Sequence, residues 1–355
     1  MAIPSDLPML FDTGISAHGH PQPAEFLTAG ADAVCFLPGC ERGIRALRED
    51  FPGIPAGGTL GPTGLLVPPS GESDFEDVYS SCRRQAAALK SAGADFLYLD
   101  RQTSLADLRA FVLAARGSKL SVFAGWNLGA DRKKNAEDEF LPTLITLQAM
   151  GASAVGFCGL PSEEFLPLVE EALPCASVPL MLTADAQPDW TPAQYAEKIK
   201  PFLEAGVRLI GCGKDTTPQH FRALRGLTAK YGRPDIPKEP DCYAAATERE
   251  VFFLGDDLEF SEPIRCSSLL GDHLIRLDDE EASAALVLVE SIDDAVLLGK
   301  NSCLAKLPVV VHADNPTVLE AALRYFQGRL IIDSGSPIER EVLEPLAAKY
   351  GAVIY

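Results

Sequence analysis

The sequence predicts an α/β chain: a (β/α)8 (TIM) barrel over residues 1–234, a linker at 235–240, and a smaller α/β domain at 241–355. Three observations predict it. Short β-branched or aromatic runs alternate with longer helical patterns eight times before residue 232. The strand candidates are apolar almost throughout, as in a parallel sheet buried on both faces. A proline-rich polar stretch, Gly232 to Pro240, then interrupts the alternation.

The strands expected are Met9–Asp12, Ala33–Leu37, Ile54–Gly58, Phe96–Asp100, Leu120–Trp126, Ala154–Cys158, Leu180–Ala184 and Arg208–Cys212. A helix follows each. Its apolar face shows in Tyr79, Cys82, Ala86 and Leu89, set against Arg83, Arg84 and Lys90. Ala-Gly or Met-Gly closes the helices before Ala31, Ala94, Ala152 and Val207, and Thr191-Pro192 and Thr217-Pro218 open others. No G-x-G-x-x-G follows the first strand, which argues against a dinucleotide-binding open sheet. Beyond the linker, strands are expected at Glu250–Leu254, Ile264–Cys266, Leu274–Leu277, Ala285–Glu290, Val309–His312, Leu330–Asp333 and Ala352–Ile354. Helices are expected at Asp293–Lys306, Pro316–Gln327 and Pro337–Tyr350.

The net charge of −19 repels phosphate backbones and anionic lipid, so neither nucleic acid nor a membrane surface is an expected partner. No apolar run approaches the roughly 18 residues of a spanning helix. The nine cysteines are scattered, several inside apolar runs, with no C-x-x-C pair, and no secretory h-region is seen. A reducing, cytoplasmic setting is expected.

Reacting groups in such a barrel sit where the strands end. That places Asp12, Cys40, Asp100, Trp126, Cys158, Asp185, Cys212 and Lys214 around one mouth. Cys158 is a candidate thiol, or a small buried hydrophobe. Lys214 is a candidate cation, a Schiff-base amine, or a solvated loop residue. Asp12 and Asp100 are candidate ligands for an amine, or helix caps. Trp126 and Trp190 line the mouth or pack. His18 and His20 form a lone H-x-H, His220 suits the first turn of a helix, and His312 ends a strand.

Several short motifs stand in order at these strand ends. They are Leu10-Phe11-Asp12 with Gly14, Gly61-Pro62-Thr63-Gly64, Leu99-Asp100 with Thr103 and Leu105, Val155-Gly156-Phe157-Cys158, and Thr216-Thr217-Pro218 with His220. Together they resemble the homocysteine S-methyltransferase family, which includes the homocysteine-binding module of cobalamin-dependent methionine synthase. The resemblance covers most of residues 5–232.

It implies methyl transfer to homocysteine or a related amino thiol, with Asp12 and Asp100 holding the substrate amino group. It also implies zinc held by three cysteines. Cys158 matches one of them; Gly213 and Lys214 stand where the family has an adjacent pair, and Arg101 where it has threonine. Two arrangements follow for the altered site. One is a relocated zinc site using Cys158 and Cys212. The other is Lys214 as a replacement cation beside Cys158.

The C-terminal part faintly resembles a truncated pterin-binding barrel, with His312 and Asp333 at pterin-contacting positions. It is too short for a whole barrel, so folate is not expected. No D-x-H-x-x-G occurs, so no cobalamin-binding motif is present. The rival expectation is a non-catalytic barrel that serves as a binding or scaffold subunit for a corrinoid or methyl-transfer partner. A lysine-dependent lyase at Lys214 is a third.

Overall fold

The computed structural model describes residues 9–15, 22–61, 72–102, 104–127, 136–232, 243–277 and 282–355. His18, His20, Pro62 to Gly64, Thr103 and the expected linker at 235–240 lie outside the described residues.

Eight parallel strands close into a barrel in sequence order. They are β1 (Met9–Ile15), β2 (Ala33–Phe36), β3 (Ala56–Leu60), β4 (Phe96–Gln102), β5 (Ser121–Asn127), β6 (Ala154–Gly159), β7 (Leu180–Ala184) and β8 (Leu209–Cys212). The last pairs with the first, Asp12 level with Cys212. Around them lie α1 (Pro23–Thr28), α2 (Glu41–Asp50), α3 (Phe75–Ser91), α4 (Leu105–Arg116), α5 (Ala136–Ala149), α6 (Leu166–Ala172), α7 (Pro192–Glu204) and α8 (Pro218–Thr228).

Strand alternation sorts the residues into two layers. Met9, Phe11, Cys35, Phe96, Tyr98, Phe123, Ala154, Met181 and Leu209 fill the interior. Leu10, Val34, Leu97, Ala124, Trp126, Phe157, Ala184 and Cys212 face the helices. The interior is an aromatic plug: Phe96 stacks on Phe123 at 4.9 Å, and Tyr98 meets Phe11 edge-on at 5.7 Å. Glycine makes room for it. A Cβ on Gly57 would lie 2.2 Å from the Phe96 ring. The plug floors the mouth, so chemistry is confined to the strand ends above it.

Beyond the barrel, β9 (Ala244–Ala246) and β10 (Val251–Phe253) form an antiparallel pair. Five parallel strands follow in sequence order: β11 (Ile264–Arg265), β12 (Ala285–Leu288), β13 (Val309–His312), β14 (Ile331–Ile332) and β15 (Val353–Ile354). Their helices are α9 (Leu270–Arg276), α10 (Ile292–Asn301), α11 (Pro316–Tyr325) and α12 (Arg340–Tyr350). The strand expected at Leu274–Leu277 is instead the end of α9. Leu270, Leu274 and Leu277 are all buried, an i, i+4, i+7 stripe that a helix satisfies and a strand does not.

Helices α11 and α12 of the C-terminal part dock on α4, which is buried from Leu105 to Ala115. Two arginines of α4 cap the free carbonyls of C-terminal helices. Arg109 donates to Leu323 O at 2.7 Å and Arg324 O at 3.2 Å at the end of α11. Arg116 donates to Ala348 O and Lys349 O at the end of α12. Arg324 returns the contact, pairing with Glu76 and lying 4.6 Å from the Tyr79 ring centre.

Candidate functional site

The mouth is organised by the end of β4. Tyr98 and Asp100 alternate with buried Leu97 and Leu99, so both point inward. The Tyr98 hydroxyl donates to Asp100 Oδ1 at 2.9 Å. The strand pairing then breaks between Leu99 and Gln102. Arg101 takes a left-handed conformation there, φ 52°, which costs a non-glycine residue roughly 1–2 kcal/mol.

Three contacts offset that strain. The Arg101 N–H donates to Cys158 Sγ at 3.3 Å, its Nη2 donates to Asp185 Oδ1 at 2.6 Å, and its Nε lies 3.4 Å from Asp100 Oδ2. Asp185 is itself held, its N–H on Gly159 O at 2.9 Å and its Oδ1 receiving the Lys214 N–H at 2.8 Å. A guanidinium thus sits between two carboxylates above a thiol.

Each titratable group shows what its surroundings supply. Burial raises Asp100 above the usual carboxylate range, and Asp185 adds to the rise; Arg101 and the Tyr98 hydroxyl oppose it. Burial pushes the Cys158 thiol up strongly and Asp100 pushes it further, against the Arg101 N–H and charge. With 1% of its surface exposed, Cys158 is a neutral thiol at physiological pH.

The other expected site residues are placed as follows. Lys214 reaches the cluster through its backbone alone. Its side chain is exposed, with no ion pair to a described residue, so it lacks the desolvation that a Schiff-base amine needs. Cys212 and Cys158 are not brought together: Cys212 faces the helical layer beside Tyr195, on the far side of the wall from the mouth. Cys40 stands at the N-cap position of α2 without a side-chain capping bond. Trp126 also belongs to the outer layer, in register with Phe157, because it is an even step from the outward Ala124.

Asp12 is 2% exposed and accepts the Gly14 N–H at 3.0 Å, and burial raises its pKa to about 7. Its hydrogen bond is local; it does not share the Arg101 cluster. His220 completes a capping box at Thr217, its Nδ1 accepting the Thr217 N–H at 3.0 Å. Trp190 packs half-buried against the outer core. In the C-terminal sheet His312 Nδ1 lies 2.7 Å from Asp333 Oδ2.

Arg101 and Tyr98 are the residues that sequence reasoning missed. The signal for Arg101 was available: a charged residue directly after Asp100 at a strand end, where the resembled motif has threonine.

The fold and this mouth define a (β/α)8 barrel with a polar, charge-paired strand-end site. Residues 39–228 match the family described as homocysteine S-methyltransferase, and the chain belongs to that family. The methionine synthase of Mycobacterium tuberculosis is 25% identical over 317 residues, covering 78% of this chain and 26% of that protein. That of Mycobacterium leprae is 24% identical over 349 residues, covering 84% and 29%. The chain therefore spans less than a third of the methionine synthases it matches. Among solved structures, the oxidised form of the homocysteine methyltransferase MmuM from Escherichia coli is 17% identical. It covers 63% of this chain and 96% of that one, with a TM-score of 0.49.

The zinc that the family resemblance implies does not fit the residues present. Of the three matching positions only Cys158 offers a ligand, and Cys212 lies across the wall. A Cβ on Gly213 would fall 2.3 Å from Asp185 Oδ1, so a cysteine there requires that carboxylate to leave its bonds with Arg101 and Lys214. Among the described residues no three His, Cys, Asp or Glu side chains are grouped to hold a metal ion.

Proposed function

We propose that the barrel mouth binds the ammonium group of a small amino acid or amino thiol such as homocysteine, with Asp100 as the anchoring carboxylate. The chain takes part in methyl transfer as a binding module, and a corrinoid or other methyl-transfer partner supplies the reactive group. The observation that carries this reading is the charge balance. Among the described residues one guanidinium faces two carboxylates, and Asp100 stays raised although Arg101 and Tyr98 both act to lower it. Such a carboxylate is short of positive charge, and an incoming ammonium supplies it. Burial and the Asp100 charge likewise disfavour ionising the Cys158 thiol.

Calorimetric titration tests this with homocysteine and with the same acid lacking its amino group. Homocysteine is expected to bind at least about tenfold more tightly, about 1.4 kcal/mol, and Asp100→Asn is expected to abolish the difference. Equal binding of the two ligands, or none of either, defeats the proposal. The catalytic alternative, S-methylation of homocysteine by this chain alone, is favoured by family membership. Turnover by the purified chain with a methyl donor, and no second protein, would establish it over the binding-module reading.

A further inference from the structure

We infer that the Arg101 guanidinium, clasped by Asp100 and Asp185, is a fixed positive charge at this barrel mouth and occupies the place where the family's metal would be held. The mouth therefore works without a metal. The three positions that correspond to the family's ligands converge on this clasp. At the first, Cys158 Sγ accepts the Arg101 N–H at 3.3 Å. At the second, the missing Cβ of Gly213 leaves the space that Asp185 Oδ1 fills, 2.3 Å from where that atom would be. At the third, the Lys214 N–H donates to the same Asp185 oxygen at 2.8 Å. Asp185 Oδ1 then carries Arg101 Nη2 at 2.6 Å.

The four residues form one mutually dependent set. Asp185 needs a residue without a side chain at 213. Arg101 needs Asp185 to hold its guanidinium over the mouth, and needs its left-handed backbone, φ 52°, to aim its N–H at Cys158. A guanidinium offers planar hydrogen bonds and permanent charge, and it has no open coordination position. It can orient a carboxylate or a ligand, but it cannot bind a sulfur and lower its pKa as zinc does. This inference concerns the mouth itself and does not depend on which ligand enters it.

Metal content of the full chain, purified without chelator from zinc-supplemented cultures, provides the test. The natural sequence is expected to hold no stoichiometric zinc. A Gly213→Cys/Lys214→Cys variant is expected to stay empty and to melt lower, because Asp185 blocks the new side chain. Adding Arg101→Ala and Asp185→Ala to those two changes is expected to give one bound zinc, with folding checked by circular dichroism. Three results overturn the inference: one equivalent of zinc in the natural sequence that Cys158→Ser removes, zinc uptake by the two-cysteine variant equal to that of the fourfold variant, or a folded fourfold variant that stays empty. These readings need no amino-acid ligand, so failure here and failure of ammonium binding are separate results.

Discussion

Burial, more than any partner, shifts the titration of Asp12, Asp100 and Cys158. Asp12 is the clearest case, 2% exposed with one local hydrogen bond and a pKa raised to about 7. Its folded-state value lies above that of the unfolded chain, near 4. The folded protein therefore keeps a proton that the unfolded chain has released. The stability this contributes is complete below about pH 4 and is lost as pH rises through about 7, on the order of 4 kcal/mol in all. Denaturant midpoints of the natural protein and Asp12→Asn across that range should diverge, with the variant gaining relative stability toward pH 8. Parallel curves would show that Asp12 ionises as it does in the unfolded chain. Asp12, Asp100 and Cys158 were legible in the sequence as strand-end residues of the right chemical types. Their charge states were not, because desolvation depends on atoms from distant parts of the chain.

At the scale of elements, α4 shows how one helix serves two neighbours. Arg109, 1% exposed, has its pKa lowered to about 10 by burial, and Tyr350 and Glu248 oppose that effect. It is retained because it answers the free carbonyls of Leu323 and Arg324 and the Gln327 side chain. Arg109→Ala removes these bonds and leaves buried acceptors unpaired, at a cost of about 3 kcal/mol. Arg109→Lys should recover only part of it, since an ammonium lacks the fork that reaches several carbonyls. Hydrogen exchange is expected to quicken first in the last turn of α11; unchanged exchange there would refute the capping role. The sequence analysis did not single out Arg109, because its partners lie 214 and 215 residues away on α11. The strand expected at Leu274–Leu277 failed for a related reason: a short apolar run fits either period until its packing partners are known.

For the whole molecule, the barrel and the C-terminal α/β part meet at α4, which α11 and α12 cover. Ile145 of α5 also packs with Ala244 and Ala246 of β9. They are expected to unfold in one calorimetric transition; two resolved transitions would mean that the interface is weaker than its burial implies. Among the described residues no helix is long and apolar enough to cross a membrane.

Sequence alone determined the barrel and the order of its strands. Those follow from local periodicity and from motifs a few residues long. Tertiary structure alone decided that Arg101 rather than Lys214 pairs with Asp100 and Asp185, and that Cys212 and Trp126 face outward. It also decided that Asp185 fills the space beside Gly213. Each of these turns on which side of a strand an end residue takes and on which distant side chain meets it there. A single-residue break in β4 is enough to change the answer.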